Sequence, residues 1–165
     1  GLPLTMLNLG YCPALTDIRP LAGMPLKALY LLLTGVQDLT PLHNMRTLTF
    51  LHLSATPVKD LSPLRGLSEL GNLSLRGCAR VQDLSPLRGL PTLSSLDLCQ
   101  CTGVQDLSPL RELPALQDLV LNSCTEVKDI APLKSLSSLT SVSLGGTKIS
   151  DLSPLAGLPI RLAWT

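Results

Sequence analysis

The stretch VQDLSPLRGLPTLSSLDLCQCTGVQDLSPLREL, residues 81–113, contains the pentapeptide Asp-Leu-Ser-Pro-Leu twice, starting at Asp83 and at Asp106. Looser or identical copies start at five other aspartates, so that successive starts lie 21 to 23 residues apart along the chain: Asp17, Asp38, Asp60, Asp129 and Asp151. A nearly fixed period in the low twenties indicates an array of one repeated supersecondary unit.

Each unit has a strand-like part and a turn-like part. In Leu73-Ser-Leu75 and its counterparts apolar residues alternate with others, which predicts a short strand with one buried face. The aspartate that follows can accept hydrogen bonds from backbone N–H groups two or three residues on, and the proline after it has a φ suited to a first helical turn. Asp-Leu-Ser-Pro-Leu therefore predicts the capped start of a short 3₁₀ or α-helical turn.

One such unit cannot fold alone, because its few leucines do not offset the conformational entropy lost in ordering about 22 residues. Copies stacked side by side cover one another's leucines. Stacking gives a parallel sheet with strands about 4.8 Å apart on the inner face and helical turns on the outside. We therefore expect an α/β solenoid.

The repeats resemble a known family. The pattern L-x-x-L-x-L-x-x-[Cys/Thr], as in Leu70–Cys78, resembles the leucine-rich repeat, and the Asp-Leu-Ser-Pro-Leu segment with its period near 22 resembles the internalin-type subclass. The resemblance implies a right-handed leucine-rich-repeat solenoid that binds a partner, with short parallel strands on the concave face and 3₁₀ or α turns on the convex face. One position departs from the commonest form, because cysteine or threonine replaces the usual asparagine: Cys12, Thr34, Thr56, Cys78, Cys101, Cys124 and Thr147.

The repeats extend over nearly the whole chain. We expect a single leucine-rich-repeat domain over residues 1–165, with seven repeats and a truncated eighth. The sequence begins and stops inside a repeat, without the polar caps that terminal repeats normally carry. We therefore expect flanking repeats or domains to cover both ends.

Four of the five cysteines occupy the inward position of the repeat, and their spacing lacks the paired ligands of a zinc site. Two residues separate this position from the next aliphatic residue where it is cysteine, as between Cys78 and Val81. One residue separates them where it is threonine, as between Thr56 and Val58. We interpret these cysteines as buried packing residues rather than metal ligands or disulfide partners. Cys99 falls on an outward strand position, so we expect it to be the one thiol open to solvent.

The composition indicates which classes of partner and which cellular compartment to expect. With 165 residues, 45% of them hydrophobic, and a net charge of +1, the chain does not have the basic surplus of a dedicated nucleic-acid binder. No apolar run is long enough for a membrane span, and no basic-then-apolar leader opens the chain. The odd number of cysteines favours an intracellular site, and so does the glycosylation sequon Asn72-Leu-Ser74, because a glycan on the concave face would obstruct binding. A cell-surface or secreted protein is the alternative.

The chain has only four aromatic residues, and they avoid the core positions. Tyr11, Tyr30 and Phe50 fall on outward strand positions, and Trp164 does so if the eighth repeat resembles the short second one. A general preference of strands for aromatic residues is one explanation, and an interface is the other. We expect an apolar anchor in the first three repeats and polar selectivity further along, with these partner-binding residues: Tyr11, Tyr30, Leu32, Phe50, His52, Arg76, Asp97, Asn122 and Trp164.

A second row of candidate residues follows Pro-Leu on the outer edge: Arg65, Arg88, Arg111 and Lys134. Such a row is usually a solvated face that keeps a solenoid soluble. The alternative is a surface that holds an acidic segment, a phosphate or a membrane surface.

Neither histidine, His43 or His52, has a nucleophile or carboxylate at a productive spacing, and Asp97 and Asp118 lie on an open sheet without a water-excluding pocket. We expect no enzymatic activity, no cofactor and no metal. The sequence favours a non-catalytic scaffold that binds another protein on its concave face. The alternatives are a cell-surface adhesion or invasion module of internalin type and the substrate-recognition arm of a larger enzyme such as a ubiquitin ligase.

Overall fold

The computed structural model describes residues 3–162, and within them eight short parallel strands form one sheet in chain order. Each coil contributes one strand, so neighbouring strands are always consecutive in sequence. This is the solenoid that the repeat period predicts. The strands β1 to β8 are Met6–Asn8, Ala28–Tyr30, Phe50–His52, Asn72–Ser74, Ser95–Asp97, Asp118–Val120, Ser141–Ser143 and Arg161–Leu162.

The strands are aligned without a register shift from coil to coil. Leu29 pairs with Leu51, and Leu51 pairs with Leu73, so the buried leucines form a continuous row. A shift of one residue would turn every buried side chain of a strand to the solvent face. The hydrophobic pattern therefore fixes the register, and equivalent residues of all coils lie in straight rows across the concave face.

The Asp-Leu-Ser-Pro-Leu segments form the convex side, and each one is a short 3₁₀ helix with proline at its second residue. In each of the seven copies an Asp Oδ1 accepts a hydrogen bond of 2.7–2.9 Å from the N–H of the first helical residue, as in Ser85 N–H to Asp83. The predicted capping role is confirmed. The 3₁₀ helices η1 to η7 are Arg19–Leu21, Thr40–Leu42, Ser62–Leu64, Ser85–Leu87, Ser108–Glu112, Ala131–Ser135 and Ser153–Leu155.

The core is one continuous cluster between the sheet and the 3₁₀ layer, extending from Ile18 to Leu155. Coil four shows its composition, since Leu67, Leu70, Leu73 and Leu75 are all buried. The aromatic residues Tyr30 and Phe50 do not belong to this cluster. Leucine therefore dominates the interior, and the other core residues are valine, isoleucine, cysteine and one methionine, Met45.

Cysteine and threonine at the inward position bind different backbone carbonyls. The hydroxyls of Thr34, Thr56 and Thr147 donate to the carbonyl three residues earlier in their own coil, at 2.6–2.7 Å. The thiols of Cys78, Cys101 and Cys124 donate instead to a carbonyl of the preceding coil, at 2.9–3.1 Å. The longer turn thus accompanies a side chain that bonds to the preceding coil, and the shorter turn accompanies one that bonds within its own coil.

Two predictions about the cysteines are wrong. Cys99 is buried rather than open to solvent, with 6% of its surface exposed. Its short side chain lies in the same concave row as the longer side chains of Arg76 and Asn122 in the coils on either side, and its N–H is held by Asp97. Cys12 is exposed rather than buried, because it belongs to the first coil and no described coil packs on its outer side.

Thiol labelling of the folded protein is expected to modify Cys12 first, and a Cys12→Ser variant should react much more slowly. The other thiols are buried, and burial raises the pKa of Cys78 and Cys101 and raises the pKa of Cys124 to about 11. Their reaction therefore requires local opening. Peptide mass mapping of a time course measures the order, and rapid native labelling of Cys101 would contradict the packing described here.

The capping aspartates should make stability sensitive to acid. Hydrogen bonds from the following serine or threonine hold the pKa of Asp38, Asp106 and Asp151 below its ordinary value. A depressed folded-state pKa adds stability above the unfolded pKa, and this stability is lost as the pH falls through the folded pKa. The free energy of unfolding should therefore decrease on acidification below about pH 4.

Asp106→Ala tests the cap directly and should lower the free energy of unfolding at neutral pH by roughly 1 kcal/mol. The exposed neighbour Gln105 provides the control, since Gln105→Ala removes no capping bond. Urea unfolding across the pH range measures both variants. Equal stability of Asp106→Ala and the parent protein would show that the cap contributes nothing.

Candidate binding surface on the concave sheet

The concave surface consists of the side chains that alternate with the buried leucines of the strands. Its middle row contains the residue between the two strand leucines of each coil, and backbone pairing aligns these residues from β1 to β7. A rigid sheet therefore sets their spacing. The middle row is Asn8, Tyr30, His52, Ser74, Asp97, Val120 and Ser143.

Three side chains form an aromatic cluster on β2 and β3: Tyr30, Phe50 and His52. The Tyr30 and Phe50 ring centroids are 4.9 Å apart, and His52 stands edge-on to them at 6.1 Å and 6.3 Å. All three are half-buried and lie outside the leucine core. Tilted and edge-to-face contacts at these distances are attractive. The rings therefore hold one another in place and present a partly exposed platform.

Further apolar side chains are exposed or half-buried in the first two coils. Leu32 is half-buried, while Leu33 and Tyr11 have 44% and 72% of their surfaces exposed. The predicted strand position of Tyr11 is wrong, because β1 ends at Asn8 and Tyr11 lies in the following turn with a φ of 62°. Met6, which sequence reasoning missed, is 61% exposed and lies in the same row as Ala28 and Phe50. Its position directly before the first strand leucine was the signal that could have found it.

A chain of side-chain hydrogen bonds leads from the aromatic cluster to the polar half of the sheet. His52 Nε2 lies 2.7 Å from Ser54 Oγ, and Ser54 Oγ lies 2.9 Å from Ser74 Oγ. Ser74 Oγ then donates to Asp97 Oδ2 at 3.3 Å, while Asp97 Oδ1 accepts from the Cys99 N–H at 2.9 Å. We call residues 52, 54, 74 and 97 the hydrogen-bonded chain. Ser54 is the member that sequence reasoning did not single out, and its contact with His52 shows that the expectation of no nucleophile near either histidine was wrong.

The other predicted partner-binding residues lie outside the aromatic cluster and the hydrogen-bonded chain. Arg76 is exposed, and Asn122 is half-buried with its Oδ1 accepting the N–H of Gly145 at 2.8 Å. Within residues 3–162 neither side chain forms a hydrogen bond with the aromatic cluster. Trp164 lies outside the described residues. The role of all nine candidates in partner binding stays a prediction.

Among the described residues, the second row of candidates lies on the outer edge of the solenoid. Arg65, Arg88, Arg111 and Lys134 are exposed, and Arg88 lies 3.5 Å from Glu112 in a surface ion pair. Within residues 3–162 no group of three His, Cys, Asp or Glu side chains could hold a metal ion. The same part of the chain has no helix with the length and apolarity needed to cross a membrane.

The environment of His52 affects its charge. Desolvation lowers the pKa of His52 below the ordinary 6.5, and the carboxylate of Asp97 partly counteracts this. The folded protein therefore prefers neutral His52, and stability should decrease slightly as the pH falls through 6.5 and the unfolded state takes up the proton.

We expect His52 to titrate below 6.5 in an NMR pH titration, and the Asp97→Asn variant to lower its pKa further because a favourable negative charge is lost. Asp118→Asn, on the next strand, is the matched control and should have the smaller effect. An increase in the His52 pKa on removing the Asp97 charge would contradict the proposed coupling.

One strand per coil, a leucine core and 3₁₀ turns on the convex side define a leucine-rich-repeat solenoid. Internalin C2 from Listeria monocytogenes is similar, with 31% identity and a TM-score of 0.67 over 96% of this chain and 80% of that one. Internalin F from the same organism has 26% identity and a TM-score of 0.57, over 98% of this chain and 63% of that one. The chain belongs to the leucine-rich-repeat proteins of the internalin type.

A more distant structure shares the fold alone. TLR13, solved in complex with ssRNA13, has 23% identity and a TM-score of 0.66 over 84% of this chain, which spans 21% of that protein. No family model matches the sequence, and no curated protein does. The similarity to leucine-rich-repeat proteins supports a role as a protein-interaction scaffold.

Proposed function

We propose that this protein is a non-catalytic recognition scaffold that binds a partner protein on its concave face and anchors it on the aromatic cluster. The observation that carries the proposal is the packing of Tyr30, Phe50 and His52 against one another on an open sheet, outside the core. Partly exposed aromatic residues with apolar neighbours are typical of interface cores.

The rigidity of the platform favours binding. Tyr30 and Phe50 lie on adjacent paired strands, and their rings already contact each other before any partner arrives. Binding therefore orders few side chains, which reduces the entropic cost of association. Tyrosine and phenylalanine also have only two rotatable side-chain bonds to restrict.

The polar half of the face supports selectivity. Arg76 is exposed after β4, while Asp97 and Asp118 lie on β5 and β6, and none of the three forms an ion pair within residues 3–162. A partner that covers these charges has to supply complementary groups, because burying an uncompensated charge is costly. The charges thereby discriminate among partners that share an apolar anchor.

Recognition explains the His52–Ser54 contact better than catalysis. Ser54 is only 9% exposed, and its Oγ is engaged by both His52 and Ser74. A catalytic serine needs an accessible oxygen and a pocket that excludes water around the substrate. The contact lies on an open sheet, and its geometry is that of a support for the His52 ring.

A second candidate is a cell-surface adhesion module. The similarity to internalin C2 over 96% of this chain favours it. Both candidates use the same concave face, and they differ in where the protein lies. Surface biotinylation of intact source cells distinguishes them, since only an adhesion module is labelled before lysis.

Phe50→Ala and Tyr30→Ala should each weaken partner binding by about 2 kcal/mol, close to 30-fold, if these rings are hot spots. Val120→Ala is the matched control, because it removes a half-buried apolar side chain from the polar half of the same face. Calorimetry with a partner captured on the parent protein measures the affinities, and circular dichroism checks folding. Unchanged affinity in both aromatic variants would refute the anchor.

A further inference from the structure

The hydrogen-bonded chain has a defined direction, which follows from counting its protons. An ionised carboxylate only accepts hydrogen bonds, so the contact between Ser74 Oγ and Asp97 Oδ2 requires the Ser74 hydroxyl to donate. A serine has one hydroxyl proton, and Ser74 donates it to Asp97. The 2.9 Å contact between the two serines therefore has Ser54 as its donor.

The same count of protons fixes the tautomer of His52. Ser54 has given its proton to Ser74, so the 2.7 Å contact between Ser54 Oγ and His52 Nε2 requires Nε2–H to donate. A neutral histidine has one N–H, and the other ring nitrogen is then an acceptor. His52 Nδ1 is therefore an acceptor when the ring is neutral.

That acceptor reaches the surface. Nδ1 has no hydrogen-bond partner among the described residues, yet residues 3–162 contain no buried side-chain nitrogen or oxygen without a partner. The atom is consequently accessible to solvent or to a ligand. It belongs to a ring in edge contact with both Tyr30 and Phe50.

We propose that Asp97, acting through Ser74 and Ser54, positions His52 as a hydrogen-bond acceptor within the aromatic cluster. The cluster then binds an aromatic side chain of a partner protein, and this side chain has a hydrogen-bond donor of its own, a tryptophan N–H or a tyrosine O–H. The rings of Tyr30 and Phe50 contact the apolar part of that side chain, and Nδ1 accepts a hydrogen bond from its N–H or O–H. Asp97 is a positioning residue in this arrangement. The inference rests on the proposed function and assigns the chemistry of the anchor that the cluster takes.

The first experiment needs no partner. Two-bond ¹H–¹⁵N correlation spectra of the parent protein at about pH 8, above the ordinary histidine pKa, should show His52 with Nε2 protonated and Nδ1 unprotonated. Ser54→Ala cuts the chain and should let both tautomers appear. Ser143→Ala, which removes a serine of the same row four strands from His52, should leave the spectrum unchanged. A protonated Nδ1 in the parent protein, or an unchanged tautomer in Ser54→Ala, overturns the positioning role.

The second experiment uses indole and 1-methylindole as probes, which differ in the N–H donor. Chemical-shift titration should show indole binding at His52, with 1-methylindole roughly threefold to tenfold weaker. His52→Phe keeps an aromatic ring without Nδ1 and should abolish this preference. Equal binding of the two probes to the parent protein, or no indole-dependent shift at His52, overturns the anchor chemistry.

The two proposals fail separately. If the probes do not discriminate while Phe50→Ala still weakens the captured partner, the concave surface binds and the assigned anchor chemistry is wrong. If Phe50→Ala and Tyr30→Ala leave the partner's affinity unchanged, the scaffold proposal itself is wrong, whatever the tautomer of His52.

Discussion

The structure depends on the covering of each leucine row by the equivalent row of the next coil. Leu29, Leu51 and Leu73 pair directly, and the core extends unbroken along the chain. No coil could bury these side chains alone, because the leucines of a coil are covered by the coils on either side of it. The register and the aligned rows of the concave face both follow from this mutual covering.

The turns between the strands and the 3₁₀ helices accommodate the variation in repeat length. The period changes between 21 and 23 residues, yet strand pairing stays in register throughout. The longer turn carries a cysteine whose thiol bonds to the preceding coil, and the shorter turn carries a threonine that bonds within its own coil. Each side chain thereby gives its own buried hydroxyl or thiol a hydrogen-bond acceptor, as a buried polar group requires. The aspartates do the same for the first N–H of each 3₁₀ helix.

The sequence was sufficient to predict the strands, the capped turns, the leucine core and the burial of Cys78, Cys101 and Cys124, since all of these repeat within one coil. It was not sufficient where an outcome depends on neighbours. Cys99 is buried because longer side chains of the neighbouring coils lie in the same row, and Cys12 is exposed because its coil is the first one described. The hydrogen-bonded chain joins residues about one period apart in sequence, so no local motif marks it.

No aromatic residue of the described range 3–162 belongs to the leucine core, and this has a consequence for the proposed recognition surface. A ring in one coil would change the thickness of that coil and disturb its fit with both neighbours, since close-packed interiors tolerate little change in volume. On the concave face Tyr30 and Phe50 meet no such constraint, because their rings project away from the stacked leucines. The core and the proposed recognition surface therefore use different side chains of the same three-residue strands, and the concave rows can vary without altering the register that positions them.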